Sequence, residues 1–448
     1  MRPSRKWRRL LVVVMAIFAV VVIIDEYGQT ESKVRATTSF AEIDKAAAGR
    51  ASAGTHKSSN GDTKQDSMTD INVSKQDSQP AVEPTSDQTN QRYLFPIFPN
   101  KKGAGNNVQY QAFRNAAAFC LLSNRTLVLT PFFNLGGYVR DISKEEQNPF
   151  NETFDETNLK SLLPVTTVET FLRHCSGNLT VFNYIWRNMM RPVLRKSAMS
   201  SVSVAYRDVF NIELPDFDDT IRENKYEMTM NSNITCLCLL DYFPNRPAYD
   251  DKLADALGLV NAHLKKAQYI RHAVDSVTMR MCNGNSFLAF HWRNKSGEIS
   301  SLRGESDRTE YVENAMMANE LVPNITHLIV SQMNRYSMGC VYVAHPTWSS
   351  EIIDYLSSAL PRHLIYDSSD IFRLLGNDGS DVWRDDYKLS LLEQEICLRA
   401  DMFIGTSDSS WSVSVVTERN AMRKKSFYLT EIMPDAHSFI RGFRKFKT

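Results

Sequence analysis

RYLFPIFPNKKGAGNNVQYQAFRNAAAFCLLSNRTLVLTPFF, Arg92 to Phe133, decides the fold. Arg92–Pro99 is a short apolar run, a strand candidate. Asn100–Asn107 is a Gly/Asn turn. Val108–Asn124 carries alanines and apolar residues at helical spacing, and Arg125–Phe133 reads as a second strand. Strand, Gly-rich turn, helix, strand is a βαβ unit.

Outward from this unit the alternation continues. In the first half it is weaker, in VETFLRHC (168–175), AYRDVF (205–210) and CLCLLDYF (236–243). In the second half it is plain. SFLAFHW (286–292), GCVYVAHP (339–346), HLIYD (363–367), DMFIGT (401–406) and KSFYL (425–429) read as strands. HLIVSQM (327–333) follows a loop. WSSEIIDYLSSAL (348–360), DYKLSLLEQEICLRA (386–400) and SSWSVSVVTERNA (409–421) read as helices. Alternating β and α predicts an α/β protein with parallel sheets covered on both faces. Two Rossmann-like halves, 92–250 and 251–448, would face each other across a cleft.

The segment before this is of another kind. Residues 1–9, MRPSRKWRR, hold five cations ahead of the apolar run Leu10–Ile24. That run is shorter than the roughly 20 residues of a typical span. It ends without a small-x-small cleavage site, and Trp7, Arg8 and Arg9 suit the cytoplasmic end of an anchor. The expectation is a short signal anchor, 10–24, with a cytoplasmic tail, 1–9, and everything later in the lumen of the endoplasmic reticulum or Golgi, as a single-pass type II membrane protein. Residues 25–91 are Ser, Thr, Asp, Gln, Lys and Ala, a composition that cannot bury enough apolar surface to order itself, and so a stem.

Seven N-x-Ser/Thr sequons, at Asn72, Asn124, Asn151, Asn178, Asn233, Asn294 and Asn324, agree with a lumenal placement. So do seven cysteines, several of which should pair in an oxidising compartment. Cys236-x-Cys238 is too closely spaced for the usual metal pair and reads as strand residues, each with its own distant partner or none. Lys plus Arg, 52, balance Asp plus Glu, 51, so net charge argues for no nucleic-acid partner.

Three motifs fall where strands end, the edge at which open α/β sheets bind ligands. In GAGNN, Gly103 and Gly105 let backbone approach a ligand, and Asn106 and Asn107 open a helix whose free N–H groups suit an anion. Its plain alternative is a tight turn with an Asn N-cap. In His291-Trp292-Arg293 an imidazole and a guanidinium share one face of a strand end, and arginine grips phosphate bidentately. The plain alternative is a salt-bridged Arg and a His satisfied by backbone. In DMFIGTSDSSWSVSVVTERN (401–420), Ser409 and Ser410 open a helix and offer a phosphate nest. There the plain alternative is an ordinary serine cap, with Glu418 and Arg419 solvated.

Together the three blocks resemble the GDP-fucose protein O-fucosyltransferases. GAGNNVQYQAFRNAAAFCLLSNRTLVLTPF is similar to that family's first motif, FHWR to its His-x-Arg motif, and FIGTSDSSWSVSVVTERN to its third; 141–275 has no counterpart. The resemblance implies a GT-B fold with GDP-fucose in the cleft. It implies that Arg293 grips the β-phosphate and glycosidic oxygen and stabilises charge on the departing GDP. It places His291 beside the donor, Asn107 on sugar or phosphate, Ser409, Ser410 and Trp411 on the pyrophosphate and nucleotide, and Glu393 near the nucleotide.

Departures from the pattern concern the proton acceptor. Ala104 stands where some members have a glutamate proposed as base. VYVAHP replaces a strand that often reads VYVATD, and Gly297 replaces an Asp, leaving Glu298 as the nearest carboxylate and the candidate base. Asp216-Phe217-Asp218 has the letters of a metal-binding pair but reads as a solvated loop, and the family needs no metal, so none is expected. Asn294 adjoins Arg293 and is expected to stay unglycosylated. The expected activity is transfer of fucose from GDP-fucose to a Ser or Thr hydroxyl of a lumenal protein acceptor, with inversion, no cofactor, and the membrane met only through the anchor. The alternatives are transfer to a glycan hydroxyl, a metal-dependent transferase, and a non-catalytic lumenal binding protein on the same fold.

Overall fold

The computed structural model describes residues 91–98, 105–133, 147–175, 177, 179–184, 202–204, 206–214, 221–222, 233–241, 251–293, 305–376, 381–407 and 409–433. The tail, the anchor and stem to residue 90, Gly103, Ala104, Asp216 to Asp218, Asn294, Gly297 and Glu298 lie outside them. Among the described residues no helix is long and apolar enough to cross a membrane.

Two parallel sheets carry the structure. The first is built from β1 (Tyr93–Ile97), β2 (Thr126–Leu129), β5 (Val165–Thr167), β6 (Thr180–Tyr184), β7 (Ile221–Arg222) and β8 (Cys236–Asp241), in the order β5-β2-β1-β8-β6-β7. Between them β3 (Phe132–Phe133) and β4 (Gln147–Asn148) form a small antiparallel pair. The second sheet comprises β9 (Phe287–His291), β10 (Cys340–Ala344), β11 (Ile365–Tyr366), β12 (Met402–Gly405) and β13 (Lys425–Tyr428), in the order β11-β10-β9-β12-β13. The strands are all parallel, but the order in which they are added reverses between β9 and β12, the topological switch point at which doubly wound sheets open a crevice. HLIYD supplies only Ile365 and Tyr366 as strand, because Arg362–Leu364 turn into a 3-10 helix after Pro361.

The helices used below are α1 (Asn106–Ser123), α2 (Val168–Cys175), α3 (Asp251–His263), α4 (Gln268–Arg280), α5 (Glu305–Arg335), α6 (Glu351–Ala359), α7 (Ser368–Leu375), α8 (Asp386–Arg399) and α9 (Ser410–Ala421). Strand periodicity sorts their partners. Leu288, Phe290 and Trp292 join Val322, Ile325 and Ile329 of α5 and Ile352 and Leu356 of α6 in one apolar cluster. Phe287 and Ala289 face the other way, into a larger cluster with α4, α8 and the first sheet. His291 continues that second face, so alternation aims it between the sheets.

The two sheets are joined through a seam of polar groups. The Glu418 carboxylate in α9 receives Arg114 from α1, and Lys266 Nζ at 2.8 Å. All three are buried. Gln111 Nε2 donates to Ser414 Oγ at 3.3 Å, and Gln394 Nε2 donates to Asn107 Oδ1 at 2.7 Å. Arg419, one residue on, is fully buried and donates to the carbonyls of Cys397, Leu398 and Ala400 at 2.7–3.1 Å. These are the carbonyls a helix end leaves without intrahelical partners, so Arg419 caps α8. Glu418 and Arg419 are thus core groups, and the plain alternative that left them solvated does not hold.

Cys175 pairs with Cys236, and Cys282 with Cys340, while Cys120, Cys238 and Cys397 are free and buried. Within the Cys236-x-Cys238 pair, Cys236 has a distant partner in Cys175 and Cys238 is free, although both share one face of the strand.

Removing one partner of a buried ion pair strands the other charge, at a cost of about 3–5 kcal/mol. Glu418→Gln leaves two buried cations facing a neutral amide. The expected outcome is a loss of that size in unfolding free energy, read by urea denaturation followed by circular dichroism.

Candidate active site

His291 ends β9, and Thr406 follows the end of β12 across the switch point. Their polar atoms meet at Ser412 in α9. His291 Nδ1 lies 2.7 Å from Ser412 Oγ and 3.3 Å from Thr406 Oγ1, and the Thr406 N–H donates to Ser412 Oγ at 3.0 Å. Ser412 comes this close because residue 405 is glycine: a Cβ there would sit 2.9 Å from both Cβ and Oγ of Ser412. On the far side the imidazole stacks on the Trp411 indole, centroids 4.3 Å apart at 20°. The indole Nε1 in turn donates to Ser390 Oγ at 3.0 Å.

This packing keeps His291 neutral. Burial, with Arg293 and His345 nearby, lowers its pKa to about 3. Glu393 shifts the other way. It is half-buried on α8, where the Tyr342 hydroxyl donates to its Oε1 at 2.9 Å, and desolvation followed by repulsion from Asp367 raises its pKa to about 8. Two groups beside Arg293 are therefore both shifted toward their uncharged forms at pH 7.

A pocket of about 300 Å³ opens here, within the range of small-molecule sites. Its wall includes His291, Arg293, His345, Trp348, Glu393 and Trp411. Four residues named from sequence, His291, Arg293, Glu393 and Trp411, thus converge from β9, α8 and α9. Ser409 and Ser410 stand at the start of α9 beside them. Ser409 occupies the N-cap position yet makes no side-chain cap bond, and its buried Oγ has no hydrogen-bond partner among the described residues. An unpaired buried hydroxyl at a helix N-terminus is a place for an anion's oxygen.

The structure does not bring Gly105, Asn106 or Asn107 to the wall of this pocket. Gly105, not an asparagine, is the N-cap of α1, with ordinary extended dihedrals and open space where a Cβ would point. Asn107 reaches the same helix as Glu393, through Gln394. Ser412, Thr406, Ser390 and His345 escaped the sequence reading as site residues. One signal was available: a polar residue, Thr406, directly after a buried strand, followed by serines alternating with apolar residues in a helix.

Among the described residues no cluster of three His, Cys, Asp or Glu could hold a metal ion.

A family model described as GDP-fucose protein O-fucosyltransferase matches residues 97–422. Among solved structures, POFUT1 in complex with GDP superposes with a TM-score of 0.50 at 16% identity, covering 76% of this chain and 98% of that one. POFUT1 in complex with GDP-fucose gives 0.49 at 17% identity, with the same coverages, 76% and 98%. The fucosyltransferase NodZ from Bradyrhizobium gives 0.39 at 13%, covering 73% and 93%. No curated protein sequence matches this one.

The Glu393 shift makes stability depend on pH. The unfolded chain releases this proton near 4.5, the folded chain near 8. Between those values the folded state binds the extra proton, so the group's contribution falls as pH rises. Glu393→Gln carries no such proton. Relative to the wild type it should gain a few kcal/mol as pH goes from about 4.5 to 8, read by denaturant unfolding across that range.

Proposed function

The chain belongs to the GDP-fucose protein O-fucosyltransferase family, a family of glycosyltransferases, and from that premise we propose that it moves fucose from GDP-fucose to a Ser or Thr hydroxyl of a lumenal protein, inverting the anomeric carbon without a metal. The observation that carries this reading is the pocket at the β9/β12 switch point, where Arg293 lines one wall with His291, Glu393 and Trp411.

In this GT-B-like arrangement Arg293 binds the β-phosphate and glycosidic oxygen. Negative charge grows on GDP as the bond to fucose breaks, and a fixed guanidinium meets it there without reorganising. Neutral His291, clamped by Ser412 and Trp411, offers a hydrogen bond to the donor without competing for its charge. The Ser409 hydroxyl and the free N–H groups of α9 face the pyrophosphate. Protonated Glu393 carries both a donor and an acceptor for the nucleotide. The first sheet, through Gly105, Asn106 and Asn107, supplies the opposite side of the cleft. Gly103 and Glu298, the latter the acid named from sequence as a base, belong to this reading from sequence alone.

A lumenal site as a type II membrane protein of the endoplasmic reticulum or Golgi belongs to the same proposal. Two disulfides support an oxidising compartment, and the sequon residues Asn124, Asn151, Asn233 and Asn324 are exposed. The anchor at 10–24 rests on sequence.

Calorimetric titration of the full-length protein in chelator, with GDP and with UDP, tests the donor assignment. GDP should bind without metal and in preference to UDP. Arg293→Ala removes charge-assisted hydrogen bonds of about 1.5–3 kcal/mol, so GDP affinity should fall about 10- to 100-fold. A folded protein that ignores GDP would sink the assignment.

A further inference from the structure

The reaction needs somewhere to put the acceptor's proton, and the described pocket offers few takers. His291 Nδ1 is engaged by Ser412 and Thr406, and its low pKa makes it a poor base. Glu393 already accepts from Tyr342 and keeps its own proton up to about pH 8. Asp386 lines the pocket but is solvent-exposed.

His345 differs from all of these. It follows β10 directly, and β10 pairs with β9 so that Ala344 lies opposite His291 and the Trp292 N–H donates to the Ala344 carbonyl at 2.9 Å. The register therefore sets His345 beside the chain that leads to Arg293, and both residues line the pocket. His345 Nδ1 lies 2.9 Å from the Pro346 carbonyl oxygen. A carbonyl only accepts, so Nδ1 carries the hydrogen, and in the neutral ring the lone pair sits on Nε2. Nε2 is buried and has no hydrogen-bond partner among the described residues. A buried acceptor left unpaired costs about 1–3 kcal/mol, so its presence in a pocket wall calls for a donor from a ligand.

We propose that His345 is the catalytic base, its bare Nε2 taking the proton of the acceptor hydroxyl. This rests on the donor reading above. The acceptor oxygen bonds to the anomeric carbon of fucose. The bond from that carbon to the β-phosphate oxygen breaks, and its electron pair leaves on GDP beside Arg293. The acceptor's proton passes to Nε2, and the resulting imidazolium keeps its Nδ1–H on the Pro346 carbonyl. Water removes the proton after the products leave. In this chain the histidine of VYVAHP thus does the work that Ala104 cannot.

Two substitutions in the full-length protein test it. His345→Asn keeps an amide N–H near Nδ1 for Pro346 and removes Nε2. His345→Gln places an amide near Nε2 that forms hydrogen bonds but accepts no proton. The readout is GDP release from GDP-fucose at saturating donor, with water as acceptor, beside calorimetric GDP affinity. Loss of a general base predicts kcat down by about 100-fold or more in both variants, with GDP affinity within about twofold of wild type. A folded variant of either kind that keeps its rate would overturn the proposal. So would a fall in GDP affinity that matches the fall in rate, which would make His345 a binding residue. Wild-type protein that binds no GDP would overturn the donor reading instead, an outcome visible before any variant is made.

Discussion

Glu418 lies where the two sheets meet, its single carboxylate shared by Arg114 and Lys266, all three sealed from water. Burial lowers the pKa of both cations, and the glutamate opposes that shift. An isolated charge in such a place costs several kcal/mol, so the carboxylate must be delivered to both partners at once. That requirement fixes α9 against α1. Once α9 is fixed, its amino end is fixed too, and with it Ser409, Trp411 and Ser412. The site is therefore held by an electrostatic constraint two to three helical turns away from it.

From α9 the constraint passes to His291. The imidazole is gripped by Ser412 on its edge and Trp411 on its face. Glycine at 405 is what permits the approach. Neutrality of His291 and of Glu393 follows from the same dense packing. The pocket thus sets the Arg293 guanidinium among groups held in place by packing.

Much of this was legible in the residues. The strand–turn–helix–strand of 92–133 and the alternation after 286 carry strong periodicity, and β1, α1, β2, β9, β10, α6, α8, β12, α9 and β13 fall where the pattern puts them. Of the residues that line the pocket, His291 and Arg293 were legible at a strand end, and Glu393 and Trp411, both in helices, only through the family resemblance. That Glu418 and Arg419 are buried was not legible, because nothing local reveals their partners. Arg114 and Lys266 are 304 and 152 residues away from Glu418. Ser412 and Thr406 gave only a faint signal for a related reason: a small hydroxyl residue gains a role only when a distant strand, here β9, brings it a histidine. The capping of α1 by Gly105 went against the helix-start statistics that favour Asn, since here no side chain caps the helix at all.

The wall of the pocket comes entirely from residues 291 to 411. The first sheet contributes none of it and touches this region through the seam at Asn107, Gln111 and Arg114. The two halves are therefore unequal partners in the site, one forming its wall and the other holding that wall in place. Mutation can reshape the outer loops of the first sheet, and so whatever they meet, without rewriting the second. The Arg114–Glu418–Lys266 cluster is less forgiving, because changing any one of its residues alone leaves a buried charge short of a partner.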